Sequence, residues 1–397
     1  MPKHSLSYSE ARYFTRLMTD YLAQKENVRQ FYHRYPDLKY FGEQIEEKKK
    51  NFSAETAAKR AILVEQLEEQ YKNVYTSQAT RKNIELLKQE NTFTITTGHQ
   101  LNLFTGPLYF LYKIITAINL AEELKSAYPD FNFVPVYWMA TEDHDFEEIN
   151  FFNLHGKKFQ WNPPSTEATG GAVGELPTTG LEDVFELFSA EIGNSPNAQQ
   201  LKKWFKQAYL EQEDLATATK VVANALFGTY GLVILDANKR ALKQFFVPYM
   251  KQELLQKKSY ENVQPLAEAL EKKEYPVQVN PREINLFYLD QGLRERIIER
   301  DGRYFVHEKN ISWSKEELLD LLEQQPEKFS PNVLLRPLYE EVILPNLCYI
   351  GGGGELAYWF ELKEYFKEAG VTFPILLLRN SVLIQTGKQD QKRQKLN

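Results

Sequence analysis

The stretch TFTITTGHQLNLFTGPLYFLYKIITAINLA, residues 92–121, decides the fold class of this chain. Residues 92–97 alternate in character and are β-branched, which predicts a strand. Residues 98–100 (Gly-His-Gln) follow as a turn. Gly106-Pro107 then opens a helix, because proline is favoured at the first helical position, and apolar residues recur beyond it at helical spacing. The stretch therefore predicts a strand, a turn and an amphipathic helix.

Two further regions extend this pattern. Residues 133–140 are almost all apolar, as in a strand covered on both faces, and residues 231–237 (GLVILDA) predict another buried strand. Near the end, residues 347–350, 355–368 and 373–378 predict a strand, a helix and a strand, with glycines 351–354 between the first two. The units are of parallel type with right-handed crossovers. We therefore predict an α/β fold with a doubly wound parallel sheet.

The sequence pattern along the whole chain divides it into segments. Residues 156–230 and 261–330 interrupt the strand–helix–strand pattern of the core. In the second of these ranges, short alternating runs (VQVN, NLFYLD, RYFVHE) predict strands. The predicted segments are 1–90, a helical N-terminal layer; 91–155, 231–260 and 331–384, the core; 156–230 and 261–330, two insertions; and 385–397, a frayed polar tail.

Composition excludes several classes of protein. The net charge is −6 and both signs are mixed along the chain, unlike the basic surface of a nucleic-acid binder. The single cysteine, Cys348, allows no intrachain disulfide and indicates a reducing compartment. The N-terminus lacks an apolar leader, and no window approaches the ~18 apolar residues of a membrane span. We expect a cytoplasmic protein that binds neither nucleic acid nor membrane.

Three unusual segments follow predicted strands: TGHQ, TEDHD and GGGGE. The carboxyl ends of parallel strands meet at one edge of a sheet, and ligands of such sheets bind there. The sequence therefore predicts one composite site built from three segments that are distant along the chain.

The segment TGHQLNLFTGP is a candidate anion site, since free backbone N–H groups and the helix dipole favour phosphate at a helix start. Neither the dinucleotide-binding glycine spacing nor a phosphate-loop lysine is present, so a tight turn without chemistry remains the alternative. The candidate phosphate-binding residues are Thr97, Gly98, His99, Gln100, Thr105 and Gly106.

The acidic segment TEDHDFEEIN allows four interpretations: a metal site, a cradle for an ammonium group, a general base, or an exposed acidic turn. No second histidine follows at the spacing of a metalloprotease helix, and we predict no metal. Glu142, Asp143 and His144 are the candidate catalytic residues, and Asp145 is a candidate substrate-binding residue.

Four consecutive glycines are conformationally costly, so they indicate close backbone approach to a ligand or repeated positive φ. Arg336 and Arg379 could each hold a carboxylate or phosphate bidentately, although salt bridges elsewhere are the plainer alternative. The other candidate substrate-binding residues of this region are Gly351, Gly352, Gly353, Glu355 and Asn380. Cys348, in an apolar strand, is predicted to be a buried, inert thiol.

Four blocks together resemble a known family: TGHQLNLFTGPLYFLYKIITAINLA, VPVYWMATEDHDFEEIN, LLRPLYEEVILPNLCYIGGGGELAYW and FPILLLRNS. The chain is similar to the cysteine-adding enzymes (cysteine ligases) of bacillithiol biosynthesis, from near the N-terminus to about residue 384. The resemblance implies a Rossmann-like, nucleotidyltransferase-like core interrupted by two connecting insertions. It also implies a C-terminal coiled coil that mediates homodimerisation, and this chain ends before that region.

The implied reaction joins L-cysteine to the amine of glucosaminyl malate, which makes the protein a carbon–nitrogen ligase with these two small molecules as substrates. Adenylation with ATP is the expected route to an activated carboxyl group. The sequence shows no Lys-Met-Ser-Lys-Ser-type loop, so the activating nucleotide stays open. Two alternatives are a metal-dependent hydrolase using residues 142–145 and a non-catalytic, synthetase-like binding module.

Overall fold

A computed structural model describes residues 5–51, 56–164 and 170–396. The strands are β1 Thr92–His99, β2 Asn132–Met139, β3 Phe151–Leu154, β4 Lys157–Gln160, β5 Val233–Asp236, β6 Leu286–Asp290, β7 Leu293–Arg300, β8 Arg303–Val306, β9 Ser312–Trp313, β10 Phe329–Pro331, β11 Asn346–Gly351 and β12 Ile375–Leu378. The helices are α1 Tyr8–Ala11, α2 Arg16–Leu22, α3 Phe41–Asn51, α4 Thr56–Gln70, α5 Gln78–Leu86, α6 Tyr109–Ala127, α7 Phe146–Ile149, α8 Leu181–Ile192, α9 Pro196–Tyr209, α10 Leu215–Phe227, α11 Arg240–Lys243, α12 Val247–Gln256, α13 Lys258–Lys272, α14 Lys315–Gln324, α15 Arg336–Ile343, α16 Gly353–Trp359, α17 Lys363–Glu368 and α18 Gly387–Leu396. None of these helices is both long and apolar enough to cross a lipid bilayer.

The central sheet has the order β12-β11-β1-β2-β5, and each neighbouring pair is parallel. From β1 the chain adds β2 and β5 on one side and later β11 and β12 on the other. The strand order therefore reverses between β1 and β11, which is the topological switch point of a doubly wound sheet. This topology confirms the predicted fold class.

Burial explains why these strands are apolar throughout. Every residue of β5 and β11 is buried, as are the first six residues of β1, because helices cover both faces of a parallel sheet. Helices α3 and α6 contribute Ile45 and Leu124 to an apolar cluster shared with β1 and β11. Cys348 lies in this cluster, and burial raises the pKa of its thiol well above the usual range, as expected for an inert thiol.

The helix predicted from Pro107 begins two residues later, at Tyr109. The preceding residues form a short 3₁₀ turn in which Phe104 adopts a φ of 45°. Its ring packs edge-on against Phe152 and Phe205 at centroid distances of 5.6 and 5.2 Å. Phe104 is thus packed against β3 and α9, and α6 begins beyond this turn.

A second, antiparallel sheet has the order β10-β6-β7-β8-β9. The strands predicted from NLFYLD and RYFVHE are confirmed as β6 and β8. The strand predicted from VQVN is wrong, because the backbone N–H groups of Gln278 and Val279 donate to Glu361 Oε1 instead of to a neighbouring strand. The first insertion contains the Pro/Thr/Gly-rich passage WNPPSTEATGGAVGELPTTG, residues 161–180, of which residues 165–169 lie outside the described residues.

Two C-terminal predictions also change. The single helix predicted over 355–368 is two helices, α16 and α17, with the buried Glu361 between them. The tail predicted to be frayed forms α18, which buries none of its residues.

Candidate active site

A cavity of about 400 Å³ lies at the carboxyl ends of β1 and β11, the switch point of the central sheet. We call it the switch-point cavity. The predicted site residues on its lining are Gly98, His99, Gln100, Asp143, Arg336, Gly352, Gly353, Glu355 and Arg379. The three sequence segments that follow β1, β2 and β11 therefore meet in one volume, as expected from the sequence.

A larger cavity, of about 920 Å³, lies elsewhere and is lined by residues such as Arg29, Tyr32 and Lys363. It contains none of the predicted site residues and lies away from the strand ends. We take the switch-point cavity as the candidate site, because ligands of doubly wound sheets bind beyond the carboxyl ends of the strands.

Several predicted residues are absent from the lining of the switch-point cavity: Thr97, Thr105, Gly106, Glu142, His144, Asp145, Gly351 and Asn380. Thr97 Oγ1 donates to the carbonyl of Ile350 at 2.8 Å and so joins β1 to β11. Gly106 has a φ of 55°, and a Cβ there would lie 2.6 Å from Asn102 Cβ. The turn at Gly106 thus requires glycine for its own geometry.

His99 is held as a neutral donor. Its Nδ1 accepts the backbone N–H of Gln100 at 2.8 Å, while its buried Nε2 has no hydrogen-bond partner in the described part of the chain. Burial, together with the charges of Lys113 and Arg379, holds the pKa of His99 well below its usual value. The proton therefore sits on Nε2, which is free to donate to a ligand.

Lys113, which the sequence analysis missed, forms the centre of a polar network in the cavity wall. Its ammonium group bonds to Glu355 Oε1 at 2.7 Å and to the carbonyl of Gly98. Glu355 Oε1 also accepts from Tyr349 Oη at 3.0 Å, and Oε2 accepts from the Gly352 N–H at 2.8 Å. Both oxygens of Glu355 are thus bonded within the protein, so the residue positions the wall. Lys113 could not be found from sequence because it lies in the apolar stretch of α6.

The four glycines do not have the positive φ that the sequence suggested. Two of them, Gly351 and Gly353, are needed for space: a Cβ on Gly351 would lie 3.1 Å from Leu356 Cδ2, and one on Gly353 would lie 3.1 Å from Met18 Cγ. The glycines let α16 and α2 pack closely on the end of β11.

Asp143 is an ionised carboxylate. Its oxygens accept from Gln100 Nε2 at 3.1 Å and from the His144 N–H at 2.8 Å. Burial alone would raise its pKa, but the neighbouring His144 side chain and the guanidinium groups of Arg336 and Arg294 hold that pKa well below the usual range. A group this acidic binds a cation well and is a poor proton acceptor at neutral pH.

Glu142 and His144 face the second sheet. Glu142 forms a buried ion pair with Lys243. His144 Nδ1 accepts a hydrogen bond from Arg294 Nη1 at 2.7 Å, and Arg294 also donates to Ser330 Oγ at 3.1 Å. Because the Nδ1 lone pair is occupied, His144 cannot use it to remove a proton from a substrate. Arg294 and Lys243 come from the second insertion and the helix after β5, where sequence showed no local signal.

Asp143, His144 and Asp145 offer ligand atoms within 4.8 Å of one another, which is close enough for a metal ion. However, the cationic Arg294 already occupies His144 Nδ1, and its charge repels a metal ion at this place. The geometry of these three residues is better suited to a polar cluster that Arg294 holds in place.

Two arginines and a buried carboxyl complete the cavity. The guanidinium of Arg379 lies 5.2 Å from the centroid of the Tyr109 ring. Burial opposes the charge of Arg336, but the neighbouring Tyr358 and Asp143 raise its pKa overall. Glu340, one helical turn after Arg336, also lines the cavity and is 3% exposed.

The fold and the cavity together define a class: a Rossmann-like α/β protein with a polar ligand site at its topological switch point. The family model described as "Bacillithiol biosynthesis BshC, N-terminal Rossmann-like domain" matches residues 1–380. The chain belongs to this BshC family.

Curated relatives agree with this assignment. The protein named "Putative cysteine ligase BshC" of Christiangramia forsetii is 58% identical over 396 residues, which cover 100% of this chain and 73% of that protein. Its namesake in Flavobacterium johnsoniae is 57% identical over 397 residues, with 100% and 73% coverage. That of Cytophaga hutchinsonii is 40% identical over 390 residues, with 98% and 71% coverage.

Proposed function

We propose that this chain acts as a carbon–nitrogen ligase that joins the carboxyl group of L-cysteine to the amine of glucosaminyl malate in bacillithiol biosynthesis. The observation that carries the proposal is the charge arrangement of the switch-point cavity: Arg336 and Arg379 line it together with the ionised Asp143, while Lys113 is paired with Glu355 in the wall. Such a site binds a molecule that carries both carboxylates and an ammonium group. The names of the relatives as cysteine ligases support the reaction class.

We assign the two arginines, Arg336 and Arg379, to the malate carboxylates, because a guanidinium can bind a carboxylate bidentately. Asp143 is assigned to the substrate amine, which it orients through an ion pair. The low pKa of Asp143 makes removal of the amine proton a poor role for this residue. In the reaction the bound ammonium group first releases a proton to solvent, the amine nitrogen then bonds to the cysteine carboxyl carbon, one carboxylate oxygen leaves with the activating group, and the nitrogen releases a second proton as the amide forms.

ATP is proposed as the co-substrate, because a free carboxylate does not form an amide without activation. The residues present fit a phosphate: His99 Nε2 is an unpartnered buried N–H within the described chain, and Arg336 and Arg379 line the same cavity. Gly98, His99 and Gln100 would hold the phosphate, and ATP would supply the activation of the cysteine carboxyl group.

The proposal is tested by mass spectrometry of purified protein incubated with L-cysteine, glucosaminyl malate and ATP, with each component omitted in turn. We expect a thiol product of the joined mass only when both substrates are present, and none without ATP. Absence of this product in the complete mixture, with folded protein, would contradict the proposal.

The alternatives are not favoured. A metal-dependent hydrolase needs a metal beside Arg294, and a non-catalytic module does not account for relatives that are named ligases. The cytoplasmic location and the homodimer stay predictions. The single cysteine is consistent with a reducing compartment for a thiol-forming enzyme.

A further inference from the structure

Three buried polar atoms of residues lining the switch-point cavity have no hydrogen-bond partner among the described residues. They are His99 Nε2, Glu340 Oε1 and Trp359 Nε1. An unpaired buried polar group is costly, so such atoms are satisfied by a ligand or by water that a ligand replaces. These three atoms therefore mark the part of the cavity where a ligand makes polar contacts.

Glu340 is the unusual member of this set, because it is a carboxyl group among groups that attract anions. The charged groups that act on it are Arg336 and Glu341 from its own helix, Lys48 from α3 and Glu355 from α16. The cavity lining adds Lys113, Asp143 and Arg379. No salt bridge to Glu340 within 4.0 Å occurs in the described ranges.

Burial and the neighbouring Glu341 raise the pKa of Glu340 well above its usual value. Because its buried Oε1 has no partner and no salt bridge among the described residues compensates a charge, the side chain favours the protonated form, whose O–H is a hydrogen-bond donor. A neutral donor leaves the positive charge of the neighbouring Arg336 intact, whereas an ionised Glu340 would repel an anionic ligand.

We propose that Glu340 contacts the substrate by donating a hydrogen bond to an oxyanion of the bound ligand, beside Arg336. The inference rests on the proposed function, in which this oxyanion is a malate carboxylate of glucosaminyl malate. A phosphoryl oxygen offers the same acceptor chemistry, and the two sources are separated by the ligand used in the test. Trp359 Nε1 and His99 Nε2 are the accompanying N–H donors of the cavity.

The test is isothermal titration of the full chain with L-malate and, separately, with inorganic pyrophosphate, from neutral to alkaline pH. Wild-type affinity for malate should fall as Glu340 ionises. Glu340→Leu should weaken malate binding about tenfold at neutral pH, as expected when a hydrogen bond to a charged group is lost. Glu340→Gln keeps a donor, so its affinity should stay near that of wild type while the pH dependence disappears.

Glu361→Gln is the matched control. Glu361 is also a buried carboxyl with a raised pKa, but it does not line the cavity, so this variant should keep the wild-type pH profile. Circular dichroism checks folding, and if Glu340→Leu does not fold, the comparison of wild type with Glu340→Gln still decides.

Malate affinity that is independent of pH in the wild type and unchanged in both Glu340 variants would overturn the inference, as would absence of binding of both ligands. If pyrophosphate binding shows the expected pattern and malate binding does not, Glu340 is still a hydrogen-bond donor to an oxyanion, and that oxyanion belongs to a phosphoryl group. Product formation is measured separately. If the expected binding pattern is seen but no thiol product forms, the proposed ligase activity is refuted and the role of Glu340 is not. If the product forms but the binding pattern is absent, the role of Glu340 is refuted and the ligase activity is not.

Discussion

At the scale of single residues, electrostatic surroundings decide what each acidic side chain can do. Asp143 lies near two arginines and accepts two hydrogen bonds, so it stays ionised. Glu340 has no salt bridge among the described residues, and burial raises its pKa well above the usual value. Two carboxyl groups on one cavity thus favour opposite charge states, which suits a ligand with both an ammonium group and carboxylates.

We predict that Asp143→Asn raises the KM for glucosaminyl malate about tenfold or more, because the ion pair with the substrate amine is lost. The measurement is steady-state product formation at varied glucosaminyl malate. Asp145→Asn is the control, since Asp145 is exposed and absent from the cavity lining, and should change KM little. Equal effects of the two substitutions would contradict the role of Asp143.

At the scale of elements, the glycine-rich junction between β11 and α16 depends on space. We predict that Gly351→Ala lowers the free energy of unfolding by about 1–3 kcal/mol, because the new Cβ meets Glu355 Cβ, Leu356 and Tyr349 at 3.1 Å. Denaturant unfolding followed by circular dichroism measures the change.

Gly354→Ala is the control for this junction. Its new Cβ would meet Gln278 Oε1 at 3.9 Å, an ordinary contact, and alanine improves helix propensity by up to about 1 kcal/mol. Gly354→Ala should therefore be neutral or stabilising. If Gly351→Ala is as stable as Gly354→Ala, close packing is not what the junction requires.

The segment between α16 and α17 contains a buried carboxyl group, Glu361, that makes the stability of the fold depend on pH. Burial raises the pKa of Glu361 from its usual 4.5 to about 7. Between these values the folded protein keeps the proton that the unfolded chain releases, so stability is lost as pH rises through this window. The loss is on the order of 3 kcal/mol above pH 7, from the size of the shift.

We therefore predict that Glu361→Gln, which can still accept from the backbone of Gln278 and Val279, is more stable relative to wild type above pH 7 than near pH 5. Urea unfolding at both pH values gives the two differences in free energy. The same difference at both values would show that Glu361 does not titrate in this range.

At the scale of the whole molecule, the second sheet supplies parts of the site. Arg294 reaches from β7 to His144 and lies 4.2 Å from the centroid of the Phe287 ring, while Lys243 pairs with Glu142. The segment after β2 is thus held from outside the central sheet, which ties the orientation of the acidic segment to the insertion.

We predict that Arg294→Leu raises the KM for glucosaminyl malate about fivefold with a smaller change in kcat, because it releases His144 and removes a charge that holds down the pKa of Asp143, the residue assigned to the substrate amine. The acidic limb of the kcat/KM profile should also shift upward, which a purely structural defect would not produce. Lys328→Met removes a salt bridge to Asp290 on the same sheet, at 3.0 Å, and should leave KM unchanged. An unchanged KM in Arg294→Leu would refute the positioning role.

Sequence by itself determined the central architecture. The sequence predicted parallel strands at β1, at β2 and before the glycines. Strands buried on both faces are continuous apolar or β-branched runs, and such runs can be recognised from the local sequence alone. The same reasoning placed His99, Asp143 and Gly352 at strand ends, and strand ends of a parallel sheet share one edge.

Only the tertiary structure decided the chemistry of the site. Lys113 lies in the apolar stretch of α6, Glu340 is one of two adjacent glutamates in α15, and Arg294 belongs to a remote sheet, so nothing local distinguishes them in the sequence. Burial and neighbouring charges set the protonation of His99, Asp143 and Glu340, and both depend on residues far along the chain. The reason is physical: hydrophobic periodicity is a local property of the sequence, whereas desolvation and electrostatic fields arise only when distant segments have packed together.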